Sequence, residues 1–303
     1  MYGPDDGIEV GPSQADARRY LRAVDWGAVW GPGEADLLMP LPPCPRIPWM
    51  EAIAGCRVVA APSSNSIWSL EPEPAPHEPR EVAPNEAWIE ALLAQVDWLT
   101  AHGPAGFPVT QAMMRGPGDV VEALLGATAL LYGMMDGAAW LRRLIDSVTE
   151  LFIRVARLQW DRIQPAWGGR VNFFGFWSPG PCVRVQEDVQ RLLSPALYRQ
   201  WLRPALERIV GEFPYSVFHL HSGSLHLAQE VVGVRGLGAL QVTVDPPPYA
   251  PPILEQVDAL RRAQERAPLF IEGPMSEAEF EGLQRQLSPR GLALRREVAA
   301  QLS

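Results

Sequence analysis

Beyond residue 84, apolar and polar positions follow two alternating periods. "NEAWIEALLAQVDWLTAH" repeats its apolar residues at helical spacing behind an Asn85 cap, whereas "FPVTQAMM" is an extended apolar run that ends at "RGPGD". A strand thus leads into a helix, and the alternation recurs. A long helical region over 119–163 precedes the strand "VNFFGFW". The helix 195–211, the strand "YSVFHLH", a helix near 225–232 and the strand "ALQVTVD" come next. The helix 253–265, the run "PLFIEG", the helix 276–286 and "GLALRREV" close the series. Before residue 85 the order is only local. "SQADARRYLRAV" reads as a helix capped by Ser13, and "RIPWMEAIAGCRVVAAPSSNSIWSLEP" as a short helix followed by extended segments. "EPEPAPHEPREVAP", 71–84, reads as a proline-rich connector of extended backbone.

Strands that alternate with helices imply a mostly parallel sheet. With "RVVAA" or "SIWSL" counted as an early strand, the pattern gives seven or eight strand–helix units. The expected fold is therefore α/β: a (β/α)8 barrel in one domain, its main part over 85–303, with an irregular proline-rich segment over 1–84 packed on it. No Gly-x-Gly-x-x-Gly follows the first strand, which argues against a dinucleotide-binding sheet.

This frame gives meaning to "HLHS", 219–222. Residues alternate faces along a strand, so Val217, His219 and His221 share one side while Phe218 and Leu220 share the other. His221 stands nearest the strand's carboxyl end, where barrel enzymes place their chemistry. Two imidazoles there can bind a metal, move a proton or hold an anion; they can also be buried groups satisfied by hydrogen bonds. The same strand-end reasoning selects Asp245 after "LQVTV" and Glu272 after "LFI", each as a base or a ligand. It also selects Arg115 after "QAMM" as a binder of carboxylate or phosphate. Phe176 and Trp177 are candidates for an apolar wall beside the substrate, and Ser222 for a substrate contact. His226 reads as a surface position at a helix start, and "QED", 186–188, as a helix cap.

Composition narrows the chemistry. All 26 basic residues are arginine; the chain has no lysine. Schiff-base chemistry, pyridoxal-phosphate attachment and the P-loop lysine are thereby excluded. A net charge of -9 argues against a nucleic-acid partner, and no apolar run reaches the roughly 18 residues that span a bilayer. The first twenty residues lack the basic start and apolar stretch of a secretory signal. Cysteines at 44, 56 and 182 form neither a CxxC pair nor an even disulfide set. The expectation is a cytoplasmic enzyme with a small-molecule substrate, with a homodimer open.

The run "PVTQAMMRGPGDVVEALLGATALLYGMMDGAAWLRRLIDSVTELFI", with "QEDVQRLLSPALYRQWLRPALERI" and "HLHSG", resembles the uroporphyrinogen decarboxylase superfamily. That superfamily also contains cobalamin-dependent methyltransferases acting on thiols such as coenzyme M. The resemblance begins near residue 45 and runs to about 297, and it implies a (β/α)8 barrel with a cleft at the strands' carboxyl ends. The decarboxylases carry an Arg-Gln-Ala-Gly-Arg motif, which nothing here matches; Arg46 in "CPRIPWMEA" stands alone. They also carry a histidine in a glycine-rich loop after the last strand, where this chain has "LALRREVAA". The methyltransferase branch binds zinc through His-x-Cys on the "HLHS" strand and through a later cysteine. Here His219 matches the histidine, His221 replaces the cysteine, and no cysteine follows Cys182. The resemblance thus implies methyl transfer involving a thiol or corrinoid, with zinc on His219 and His221 and a third ligand from Glu272, Cys182 or Asp245. Decarboxylation of a porphyrinogen-like acid is the alternative. A noncatalytic barrel that binds a tetrapyrrole or a corrinoid as a carrier or sensor is a third; the partners implied are a tetrapyrrole or a corrinoid protein.

Overall fold

Parallel strands, the central ones largely buried, are joined by helices in the carboxyl-terminal part of the chain. The computed structural model describes residues 7–16, 37–61, 66–70 and 82–297. It divides into two compact units, Met1–Arg184 and Val185–Ser303.

The second unit is built on strands β7 (Tyr215–His221), β8 (Ala239–Thr243), β9 (Leu269–Pro274) and β10 (Leu292–Glu297). With β6 (Cys182–Gln186), the strand in which the unit boundary falls, they make a five-stranded sheet in the order β10-β9-β8-β7-β6. The pairs β7–β8, β8–β9 and β9–β10 are all parallel. Each strand lies beside its predecessor, with a helical connection between them. That singly wound order is the one barrels use, whereas a doubly wound sheet reverses its order partway. Mixed α/β architecture with a parallel sheet is therefore established. Closure into eight strands is not among the strand pairings of the described residues.

Local chemistry explains the helices of this unit. Ser194 caps Pro195–Trp201 by accepting from the Leu197 amide at 3.3 Å, and Pro195 occupies the first turn, where no N–H is needed. Ser276 and Glu279 form a reciprocal capping box that starts Glu277–Gln286. Gly273 has φ +131°, and a Cβ there would stand 3.0 Å from the Val244 carbonyl oxygen. Glycine is required at that point because β8 and β9 approach closely just after Glu272.

The first unit holds β1 (Ile8–Glu9), β2 (Val58–Ala61) and β3 (Ser66–Ser69) in an antiparallel sheet. Its longer helices are Glu86–His102 and Ala139–Arg162. The latter buries Leu141, Leu144, Ile145, Val148, Phe152, Val155 and Ala156 along one stripe. Among the described residues no single helix is long and apolar enough to cross a membrane.

Several local expectations are corrected. "RVVAA" and "SIWSL" are both strands, but they pair with each other antiparallel; only residues 62–65 lie between them, too short for the crossover that parallel strands need. "FPVTQAMM" contributes only a parallel bridge, Leu41–Val109, to pairing. Beyond it the Ala112 amide donates to the Gln159 side chain instead of a neighbouring strand. "VNFFGFW" is not one strand. Asn172 Oδ1 accepts from the amides of Phe174 and Phe176, and Gly175 adopts φ +85°, which folds the segment into a turn between β4 (Arg170–Val171) and β5 (Trp177–Ser178). The strand is instead β6, "CVRVQ", buried throughout. The helical region 119–163 breaks at Gly126 and Gly137, both at positive φ, into Pro117–Leu125, Ala127–Met135 and Ala139–Arg162. Within the segment 1–84, the short helix Trp49–Ile53 followed by the extended strands β2 and β3 matches the expected order, and β1 adds a third strand. The helix expected from Ser13 is a 3-10 turn, Pro12–Gln14, where described; its continuation and most of the connector 71–84 lie outside the described residues.

Leu220 is fully buried on the face of β7 opposite the histidines. Leu220→Ala is expected to cost about 2 to 5 kcal/mol by opening a cavity. Chemical denaturation measures this, and a loss below about 1 kcal/mol would mean that the face is not tightly packed.

Candidate functional site

Parallel register carries the alternation of β7 across its neighbours. His219 pairs with Gln241, His221 with Thr243, Thr243 with Glu272, and Glu272 with Arg295. Partners at one register level share a face, as do residues two apart on a strand. His219, His221, Gln241, Thr243, Glu272 and Arg295 therefore stand on one side of the sheet, with Leu220, Val242 and Ile271 on the other. The imidazoles of His219 and His221 meet edge to face, ring centroids 4.9 Å apart.

The two histidines are held differently. His219 is buried, and its Nδ1 bonds to Oε1 of Gln241. An amide oxygen only accepts, so Nδ1 is the donor, and in the neutral ring the lone pair is then on Nε2. His221 is partly exposed, its side chain retaining 40% of its surface. Its Nδ1 donates to Asp245 Oδ1 at 2.7 Å, and its Nε2 stands 3.8 Å from Asp188 Oδ1. Asp245 is fixed in turn. Its Oδ2 accepts from the Gly223 amide at 3.2 Å, and its own amide donates to Ser222 Oγ at 2.9 Å. Asp188 is held by the Gln186 side-chain amide, 2.6 Å from Oδ2.

Asp188, His219 and His221 each offer a donor atom within 4.8 Å of the others. In a tetrahedral site with bonds of about 2.1 Å, ligand atoms lie about 3.4 Å apart. The cluster is thus more open than a closed metal shell, and its side chains would have to draw together to hold an ion. Two imidazoles with Nδ1 tied to a carboxylate and an amide, plus a carboxylate, form a donor set that fits a divalent transition metal.

The other anticipated residues fall into place around or apart from this cluster. Asp245 and Ser222 support His221. Glu272 is buried, paired with Arg295 and bonded to the Gln241 amide at 3.1 Å. Arg115, in the first unit, bonds to Glu51 at 3.0 Å and Asp119 at 3.1 Å, and both carboxylates are fully buried. A substrate acid would compete with them for its charge. Phe176 and Trp177 also belong to the first unit; Trp177 is exposed and its indole donates to the Ala166 carbonyl. His226 bonds to the Leu193 carbonyl through Nε2. Cys182 is buried, accepts from Asn172 and has its thiol pushed up to about 11 by burial.

Gln241 has no role in the sequence reading, and Asp188 enters it only through the "QED" cap; Glu187 does precede the 3-10 turn Asp188–Leu192, but no side chain caps it. Asp188 follows β6 by two residues, so the strand-end rule that selected His221, Asp245 and Glu272 selects it as soon as "CVRVQ" is read as a strand. Gln241 is a polar residue of "ALQVT" on the histidine face, at the level of His219.

No protein-family model matches the chain, and no curated protein matches its sequence. Among solved structures, a methyltransferase from Methanosarcina mazei superposes with a TM-score of 0.65 at 16% identity, over 96% of this chain and 81% of that one. At that identity the likeness establishes the fold.

Burial also raises the thiols of Cys44 and Cys56, the latter to about 12. Thiolate is the reactive form, so all three cysteines should resist a thiol-specific reagent at about pH 8 in the native protein and react once it is unfolded. Rapid native labelling of Cys182 would show instead a thiol available as a ligand.

Proposed function

We propose that the chain is a methyl-transfer enzyme whose site holds a divalent ion, most simply zinc, on Asp188, His219 and His221. The observation that carries this reading is the convergence of those three donors while both imidazoles have Nδ1 occupied by acceptors. A carboxylate behind a ligating histidine fixes its tautomer and raises its basicity, as Asp245 does for His221. The fold shared with a methyltransferase supports the reaction class.

A divalent ion held by Asp188, His219 and His221 would supply the Lewis acidity that favours the thiolate form of a substrate thiol at neutral pH. The chain's own groups supply position and access. His219 forms the closed wall of the site, and the partly exposed His221 and Asp188 leave the side from which a thiol enters. Asp245, anchored by Gly223 and Ser222, keeps the His221 proton on Nδ1. The methyl donor of this reading is a corrinoid or a corrinoid protein. Decarboxylation of a porphyrinogen-like acid finds less support, because Arg295 on this face is paired with Glu272 and Arg115 with two buried acids.

Purified protein is expected to bind one equivalent of zinc, and to demethylate a methyl-corrinoid when given a suitable thiol from a panel. Asp188→Ala and His219→Ala should each abolish stoichiometric zinc and cut turnover by about 100-fold or more. Release of carbon dioxide from a porphyrinogen, or methyl transfer indifferent to both substitutions, would overturn the proposal.

A further inference from the structure

A buried polar chain runs from His219 across three neighbouring strands. His219 Nδ1 bonds to Gln241 Oε1. Gln241 Nε2 donates to Thr243 Oγ1 at 3.0 Å and to Glu272 Oε1 at 3.1 Å, and Glu272 Oε2 is paired with Arg295. Gln241 is fully buried, and Glu272 and His219 nearly so. Arg295 lies over the Phe270 ring, its guanidinium carbon 5.4 Å from the ring centroid, which holds it beside Glu272.

The chain is directional. A side-chain amide has a donor end and an acceptor end, and in a buried site turning it around is costly. A carboxylate paired with arginine can only accept, so it draws the NH2 end of Gln241 toward itself. The carbonyl end is left facing His219. Reversed, Gln241 would set its oxygen against the Glu272 carboxylate, at a cost on the scale of an unsatisfied buried charge-assisted bond. With the oxygen facing it, His219 Nδ1 must carry the proton.

We infer that the Arg295–Glu272 pair, acting through Gln241, sets the tautomer of His219 and leaves its Nε2 as the ligating atom. Gln241 and Glu272 are then positioning residues, and Glu272 serves the site without entering it. The inference deepens the metal reading and rests on it for its purpose, but the tautomer can be measured without metal.

The test uses metal-free protein labelled with 15N-histidine, at about pH 8, where a free imidazole is neutral. His219 is identified by its loss in His219→Ala. Long-range proton–nitrogen correlation spectra should show a single Nδ1–H tautomer for His219 in the wild type. Glu272→Gln, which lets the Gln241 amide turn, and Gln241→Met, which removes the acceptor at similar volume, should each give a mixed or reversed tautomer. Glu272→Asp should restore it. Cobalt(II) affinity, followed by its visible absorption, should fall about 10- to 100-fold in the first two variants. A merely structural role would lower the melting temperature and leave the tautomer unchanged. An unchanged Nδ1–H tautomer in both variants, with wild-type protein binding cobalt, overturns the relay and leaves the metal reading standing. A shifted tautomer in protein that never binds cobalt supports the relay and overturns the metal reading.

Discussion

Side-chain alternation, carried in parallel register from strand to strand, is the constraint on which the second unit depends. It assigns Phe218, Leu220, Leu240, Val242 and Ile271 to one face of the sheet, where the hydrophobic contribution to stability lies. The same rule commits His219, Gln241, Glu272 and Arg295 to the other. Buried polar groups must then satisfy one another, because water is not available to them. The result is an ordered chain of donors and acceptors whose direction is set by the one strong ion pair in it.

The two histidines differ in consequence although only Leu220 separates them. His219 sits low on the strand, where its partner is a neutral amide and solvent is excluded. His221 sits at the strand end, with carboxylates facing both nitrogens and an open side. On the proposed reading, one ligand is part of the scaffold and the other is part of the entrance. That proposed donor set would differ, in having no sulfur, from the His-x-Cys pattern that the sequence resemblance implies.

Much of this was legible in the residues. The alternation in "YSVFHLH" places the histidines on one face, and the strand ends yield Asp245 and Glu272 as neighbours of the site. What was not legible has physical causes. "VNFFGFW" has the apolar composition of a strand, but Asn172 and Gly175 give its backbone a local turn, a signal that its apolar residues outweigh. "CVRVQ" carries an arginine and a glutamine at buried positions, which disguises it, and with it went the route to Asp188. Glu86–His102 starts after Asn85, as the pattern implies, although the Asn85 side chain makes no capping bond; Gly126 and Gly137 break an apolar pattern that reads as one continuous helix. Glu272 stands at its strand end as a base or a ligand would, and pattern alone does not show that Arg295 on the next strand pairs with it.

The central claim is that Asp188, His219 and His221 form a metal centre with nitrogen and oxygen donors. X-ray absorption at the zinc edge of the reconstituted protein tests it most directly. The account predicts a shell of nitrogen and oxygen atoms at about 2.0 to 2.1 Å, with imidazole outer-shell scattering from two histidines and no sulfur contribution at about 2.3 Å. A sulfur shell, or scattering from a single imidazole, would contradict it.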